Sequence, residues 1–384
     1  MKTRTLAFAL LATSMISVPA LAQPRDNSAP AEVAKSITGF VYKLDPSARK
    51  PNPKDYKAPR LAWGVPDLGG DWTNITLTQL ERAEAFGTRN ALTDEEVIRI
   101  EGNDQAIKAL SEKPTDPNAS TQEVSKQADC SGGRGTGCNY NQGFVDFGNQ
   151  VMRVNGEPRA SLITFPANGR MPKRVPGAPA IRRFAESENG PAGRADNPEE
   201  RSLGERCIMS FGVSSGPVMT SQLYNNSYQF VQTPDHLAIW VEMVHDVRIV
   251  PIGGNHRTDG VHLYMGDSIG WWDGDTLVVE TINYHPAQNL RGATPKVKVT
   301  ERFTRVAADR LLYQFKVEDP GVWAEPWGGE YEFSKSGPVY EYACHEGNYG
   351  LAGILAGARH EEQEAKAKAA AAGTPKAAAG GGGR

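Results

Sequence analysis

The chain has 384 residues and a formal net charge of −3 at neutral pH. Its Lys and Arg residues form no basic stripe, and phosphate binding needs clustered cations, so nucleic acid is not an expected partner. The length suits one large β domain or two smaller ones.

The first 22 residues have the pattern of an export signal. Lys2 and Arg4 give a basic start, residues 6–18 are apolar, and the motif at 20–22 predicts cleavage after Ala22. The apolar stretch is too short to span a bilayer, and no later segment is long and apolar enough. The mature protein is therefore predicted to be periplasmic or secreted, without a membrane span.

Composition divides the rest of the chain into three parts. Residues 23–60 are rich in Pro, Lys, Asp and Ala with little periodicity, which indicates an irregular N-terminal arm. Residues 361–384 are rich in Ala, Lys and Gly, cannot bury apolar area, and are predicted to be a disordered tail. The stretch 61–360 is interpreted as a single β-rich domain.

A capping box at Thr93 and Glu96 predicts an N-terminal helix. In this motif the Thr hydroxyl and the Glu carboxylate each accept a backbone N–H bond at the first turn. The helix is expected to run to about Leu110, because Pro114 and Pro117 cannot continue it.

From residue 139 onward, short alternating segments separated by Gly, Asn and Pro are typical of β-hairpins. The strongest signal is Asp273-Gly274, a turn dipeptide between two such segments. Further turns are predicted at 233–236, 307–310 and 336–338, and 237–250 is interpreted as one long strand. The pattern predicts a mainly β fold: an antiparallel meander closed as a lipocalin-like barrel or folded as a sandwich, with one or two N-terminal helices.

Side-chain alternation assigns polar residues to the inner face of this sheet. In the strand 237–250 the odd positions are apolar except for His245, so its imidazole is predicted to lie among aliphatic side chains. Tyr224 and Asn226 share a face with two aromatic residues, and Glu301 lies between apolar neighbours.

In the segment 276–285 the two faces are less distinct. One assignment points Glu280 inward, and the other points Asn283 and His285 inward.

Polar groups on several inward faces are typical of a small barrel that holds a ligand. His245 is predicted to be a general base and Glu301 the acid or orienting partner, since burial and a nearby charge tune such groups toward neutral pH. Tyr224 is a further catalytic candidate, and Asn226 and His285 are candidates for substrate binding. A core histidine bonded to a glutamate or a carbonyl explains the same pattern without chemistry.

The opposite face of the His245 strand carries Glu242, Asp246 and Arg248. A solvated charge ladder is the simplest interpretation of these residues. Glu242 or Asp246 becomes a catalytic candidate if the N-terminal segment covers this face, and Glu242 is also a candidate for substrate binding.

Two connections carry further binding candidates. Arg291 is placed where it could clamp a carboxylate. Trp271 and Trp272 could form a stacking platform for a sugar or aryl ring, although one of them must face the core.

Evidence for metals and cofactors is weak. Asp267, Asp273 and Asp275 resemble a calcium loop only loosely, and turn chemistry explains them better. His256 and His262 lie in a Gly-rich segment and favour an exposed loop over a metal site. No cofactor is predicted; calcium is retained as an alternative.

The four cysteines suit an oxidising compartment. The simplest of three connectivities joins Cys130 to Cys138 and Cys207 to Cys344. The absence of a C-x-x-C spacing makes a metal site the weaker interpretation.

Six motifs together resemble a large family of exported, β-rich proteins of Gram-negative soil bacteria that has no assigned activity. The resemblance covers roughly residues 71–359 and implies export and a β-rich fold, but it transfers no catalytic residue. The motifs are LGERC at 203–207, YNNSYQ at 224–229, EMVHDVR at 242–248, MGDS at 265–268, WDGDTLVVET at 272–281 and YACHEGNY at 342–349.

These observations lead to three hypotheses. The first is an exported enzyme that cleaves an ether or glycosidic bond in plant-derived aromatic or saccharide fragments, by hydrolysis or elimination. The second is a non-catalytic barrel that binds a small apolar or aromatic ligand. The third is an envelope interaction module that uses the two tryptophans and the loop at 185–204.

Overall fold

The computed structural model describes residues 50–111, 148–180, 195–210, 216–222, 224–288 and 290–373, together with positions 42, 44, 48, 117, 118, 120 and 146. The predicted export signal, the loop from Cys130 to Cys138 and residues 374–384 lie outside the described residues.

Within this part of the chain the regular structure is mainly β, with two α-helices. The helices are α1, Asp94–Ser111, and α2, Tyr349–Gly373, and one-turn 3₁₀ helices lie at Glu84–Phe86, Pro198–Glu200 and Met243–His245. The strands are β1 Gly70–Thr73, β2 Arg153–Val154, β3 Glu157–Pro158, β4 Ile163–Phe165, β5 Ser227–Gln232, β6 His236–Val241, β7 Val247–Pro251, β8 Asp267–Asp273, β9 Thr276–Ile282, β10 Lys298–Ala307, β11 Arg310–Glu318 and β12 Trp327–Lys335.

The predicted antiparallel barrel is confirmed. Nine strands follow one another in the order β7-β6-β5-β1-β12-β11-β10-β9-β8, and β4 adds to the first half of β12. The two ends of the sheet meet where Ile252 bridges Gly270 and the Gly253 amide donates to the Gly270 carbonyl at 2.7 Å. Strand β1 comes early in the chain and joins the two runs of consecutive hairpins.

The predicted turns between β5 and β6, β8 and β9, and β10 and β11 are also confirmed. Residues 336–348 contain no strand, so the hairpin predicted beyond Ser336 is absent. The partners of β12 explain this result: β11 pairs with one edge, while β1 and β4 share the other. The following segment therefore finds no open edge on β12.

The single strand predicted over 237–250 is wrong. A turn at 242–246 separates β6 from β7, with Val244 and His245 in the left-handed backbone region at φ 67° and 47°. The turn reverses which alternate residues face inward. Arg248 and Val250 are buried, whereas Val247 and Ile249 on the predicted inner face are exposed.

The barrel core combines aliphatic and aromatic side chains. The Tyr313 ring packs against the Phe303 and Phe333 rings at centroid distances of 5.1 and 5.3 Å, and all three rings are buried. Close backbone contact between β12 and β4 requires glycine at residue 329, where a Cβ would lie 1.9 Å from the Leu162 carbonyl. This contact fixes β4 against β12.

The capping box that opens α1 is confirmed. The Thr93 amide donates to Glu96 Oε2 at 2.8 Å, and the Glu96 amide donates to Thr93 Oγ1 at 3.3 Å. Val97 of this helix is buried in a smaller cluster with Phe86 and Val151, beside the barrel.

Helix α2 changes the interpretation of the C-terminal tail. Residues 361–373, expected to be disordered, form the second half of this exposed helix. Its Ala, Glu, Lys and Gln residues have high helix propensity, so the segment forms a helix without burying apolar area. A disulfide from Cys207 to Cys344, as predicted, ties the chain to the barrel just before α2.

Candidate functional site

Glu301 lies inside the barrel, as predicted, and is completely buried. Its carboxylate accepts two hydrogen bonds from Arg248, one of them from Nη1 at 3.1 Å, and a third from the Tyr313 hydroxyl at 2.9 Å. Burial and the Glu301 charge raise the pKa of the Tyr313 phenol well above its usual value. The phenol therefore stays protonated at neutral pH and donates a hydrogen bond to the carboxylate.

The other polar atoms of this network are also bonded. Arg248 Nε donates to Ser268 Oγ and Nη2 donates to Thr281 Oγ1, both at 3.1 Å, and the Met219 amide donates to the Tyr313 oxygen at 3.0 Å. The prediction that Arg248 lies on a solvated outer face is wrong, because the turn at 242–246 points it inward. A carboxylate with these partners has the surroundings of a structural ion pair.

His245 is exposed at the turn rather than buried among aliphatic residues, so that prediction is wrong. Its Nδ1 lies 2.7 Å from the Tyr342 carbonyl oxygen, near the disulfide. No contact among the described residues joins this imidazole to Glu301. The proposed base and acid are therefore not brought together.

Tyr224 and Asn226 precede β5. Asn226 is buried, as predicted, and closes a local loop: its Oδ1 accepts from the Gln222 amide at 2.6 Å and its Nδ2 donates to the Gln222 carbonyl at 3.0 Å. Tyr224 is partly buried against the barrel core.

The remaining candidates lie on separate surfaces. Glu242 accepts a bond from the first amide of β5, at Ser227, at 3.1 Å. Trp271 is exposed on the outer face of β8, while Trp272 packs against the core.

His285 follows β9 and is half-buried. It packs on the Tyr264 ring at 4.4 Å, and its Nδ1 accepts from the Ala287 amide at 3.1 Å. Burial, followed by the charges of His262 and Arg206, lowers the pKa of this imidazole. Of the two assignments for β9, Thr281 rather than Glu280 faces inward, and Asn283 and His285 lie beyond the end of the strand.

Arg291 has an unusual environment. Solvent reaches its side chain, yet surrounding protein desolvates the guanidinium enough to lower its pKa, against the charges of Tyr331 and Glu81. The Arg291 guanidinium lies close enough to the Tyr331 phenol and the Glu81 carboxyl to interact with both electrostatically. No described residue forms an ion pair or a hydrogen bond with it.

Tyr331, on β12, lies near Arg291 and is completely buried. Burial raises the pKa of its phenol, and the nearby Arg291 charge opposes that change. The Tyr331 hydroxyl faces the Ser221 backbone, which hydrogen-bonds to it. The Ser221 Oγ is a buried polar atom without a hydrogen-bond partner among the described residues, so it has hydrogen-bonding capacity left for a ligand atom.

The loop that carries Arg291 is held at both ends. Leu290 is anchored in the barrel core, Arg174 donates to the Gly292 carbonyl at 3.2 Å, and Thr294 donates from its amide to Asp319 at 2.7 Å. Arg291 itself has φ 53°, in the left-handed region that non-glycine residues adopt at some cost. The guanidinium is thus presented by a well-supported backbone.

The aspartates considered for calcium bind different partners. Asp267 accepts from the Arg257 amide at 2.7 Å, Asp273 pairs with Arg302 at 2.7 Å, and Asp275 pairs with an exposed arginine of the N-terminal segment. Within the described ranges no group of three or more His, Cys, Asp or Glu side chains is arranged to hold a metal ion. No helix in the same ranges combines the length and apolar character needed to cross a bilayer.

The sequence patterns misplaced two residues and gave no sign of a third. Arg248 was assigned to the wrong face, and Tyr331 carried no motif that separated it from the other core aromatics. His256, expected on an exposed loop, is mostly buried between Asp267 and Glu280, at 3.0 Å from Nδ1 and 3.3 Å from Nε2. Arg248 could have been predicted as buried only if the turn at 242–246 had been predicted first.

Comparison with protein-family models, curated proteins and solved structures finds no match to this chain in any of the three.

Proposed function

We propose that this protein binds a small aromatic ligand that carries an anionic group, at the recess formed by Arg291, Tyr331 and Ser221. The observation that carries the proposal is the exposed Arg291 guanidinium, which has no ion-pair or hydrogen-bond partner among the described residues and lies beside the Tyr331 phenol. A guanidinium in such surroundings binds carboxylates strongly, because its N–H donors match both carboxylate oxygens.

The neighbouring groups suit the rest of such a ligand. The Tyr331 and Ser221 hydroxyls offer hydrogen bonds to polar atoms. The Phe315 ring packs beside the Tyr331 ring, with the two ring centroids 6.3 Å apart, so this part of the protein is apolar. An aryl carboxylate combines the features that this recess complements: one delocalised negative charge and one flat apolar body.

Binding of 4-hydroxybenzoate and ferulate to the purified protein, measured by isothermal titration calorimetry, tests the proposal. Arg291→Ala should weaken binding about 10- to 100-fold, the effect of losing charge-assisted hydrogen bonds to the ligand. Arg302→Ala is the matched control, because Arg302 is an exposed arginine paired with Asp273 on the outer face. It should leave the affinity unchanged.

Tyr331→Phe separates a ligand contact from a structural role. The Tyr331 hydroxyl bonds to the Ser221 backbone, so its removal should lower the free energy of unfolding by only about 1 kcal/mol while weakening binding. Equal affinity of wild type and Arg291→Ala, or equal affinity for an acid and its methyl ester, would contradict the proposal.

Cleavage of an ether or glycosidic bond remains a prediction. It requires an acid and a base in one recess, and His245 and Glu301 have no contact that joins them. Chromatography of the same proteins incubated with lignin-model ethers and oligosaccharides addresses it directly: products would favour an enzyme, and intact ligand would favour a carrier.

A further inference from the structure

A cavity lies between the N-terminal segment and the barrel. The segment 50–56 forms one wall, the turn between β10 and β11 another, and the end of β12 the floor. Its volume is about 580 Å³. Ligand sites generally fall between about 300 and 1,000 Å³, so this cleft has room for a molecule of one or two sugar rings.

Glu332 provides the most buried polar group of this cleft. It is 7% exposed, and one of its oxygens accepts a bond from the Asn155 amide at 2.6 Å. The Asn52 side chain lies close to the same carboxyl, and the Asn52 amide donates to Asn155 Oδ1 at 2.8 Å. These contacts hold the N-terminal segment over the floor and leave the cleft open beside it.

Charges of both signs line the cleft: Lys50, Arg153 and Arg310 are basic, and Asp309 and Glu332 are acidic. Arg310 pairs with Asp309 at 3.0 Å, and the buried Arg153 pairs with Glu101 at 2.9 Å. A ligand with a strong charge of either sign would therefore meet a cation and an anion together. The balance favours an uncharged ligand.

The remaining lining groups offer hydrogen bonds and flat apolar faces. Asn149 and Ser334 supply amide and hydroxyl groups, and Tyr56, Pro51 and Pro53 supply ring faces. Ring stacking combined with donors and acceptors of both kinds suits a molecule with one hydroxyl on most carbons.

We propose that this cleft binds a neutral saccharide of one or two rings. The proposal does not depend on the Arg291 recess, because no residue of that recess lines the cleft. It adds a second ligand class to the protein: an uncharged, polyhydroxylated one.

Titration of the full-length protein with cellobiose and xylobiose, followed by saturation-transfer NMR and calorimetry, tests this inference. Ala308→Trp places a large side chain in the cleft from an exposed turn position and should weaken binding at least about tenfold. Ala352→Trp, at an exposed position on α2 outside the cleft, should bind as wild type does. Arg291→Ala should also bind normally.

Three results would overturn the inference. The first is that neither disaccharide binds the wild-type protein at millimolar concentrations. The second is that Ala308→Trp binds as tightly as wild type while its thermal unfolding is unchanged. The third is that digalacturonate, a charged disaccharide, binds more tightly than cellobiose. Asn52→Ala provides a second, smaller perturbation of the same wall and should weaken binding in the same direction.

Discussion

Arg248 and Glu301, 53 residues apart in the chain, form a two-pronged ion pair inside the barrel. The pair joins β7, the strand at one end of the sheet, to β10, the third strand from the other end. Both side chains are almost completely buried, so each charge depends on the other for its stability.

Breaking this pair should be strongly destabilising. Glu301→Leu or Arg248→Met alone leaves an unpaired buried charge and should lower the free energy of unfolding by about 3–5 kcal/mol. The double variant removes both charges and should lose less than either single variant. Urea unfolding of the four proteins measures these changes, and additive losses would show that the two charges do not interact.

The turn at His245 predicts an unusual order of stability for glycine and alanine variants. Because His245 has a positive φ, His245→Gly should be more stable than His245→Ala, by up to about 1 kcal/mol. At Val247, which is exposed on a strand, the order should reverse because glycine weakens extended structure. Thermal denaturation of the four variants checks both orders, and alanine superior to glycine at both positions would contradict the turn.

The Glu332 carboxyl should make stability depend on pH. Burial raises the pKa of Glu332 in the folded state, so the folded protein holds this proton more tightly than the unfolded chain. The stability contributed by Glu332 is therefore highest below its unfolded pKa near 4.5 and is lost as pH rises through the raised folded pKa.

Glu332→Gln tests this pH dependence, because glutamine keeps the shape without the charge. Its free energy of unfolding relative to wild type should be higher at pH 7 than at pH 4. Glu346→Gln, at an exposed position, should show no such difference. A constant difference for Glu332→Gln across this range would refute the assignment.

The disulfide between Cys207 and Cys344 should contribute substantially to stability. It spans 137 residues, and cross-links of this kind typically contribute about 2–5 kcal/mol by restricting the unfolded chain. The double variant Cys207→Ser, Cys344→Ser should melt at a lower temperature than wild type. Reducing agent should lower the melting temperature of wild type more than that of the double variant; equal responses would show that another thiol or disulfide is responsible.

Local sequence signals were reliable where residues a few positions apart determine the backbone conformation. The Thr93–Glu96 capping box and the Asp273-Gly274 turn require only residues a few positions apart, and both predictions are confirmed. Period-two alternation also placed Glu301 and Asn226 on buried faces correctly.

The same alternation failed over residues 237–250. Apolar residues occupy the odd positions on both sides of the turn, so the pattern carries no sign of the interruption. Val244 gives no warning either, because a β-branched residue rarely adopts positive φ. The error moved His245 inward and Arg248 outward, and the predicted catalytic pair depended on it.

The amino-acid sequence by itself determined the β-rich class, the helix start, most hairpin turns and one disulfide, because each depends on local geometry or on a small set of alternatives. Tertiary structure alone decided that β1 inserts between β5 and β12, that Arg248 rather than His245 meets Glu301, and that Arg291 lies beside Tyr331. These relationships join residues far apart in the chain, and a single misplaced turn reverses every side chain that follows it.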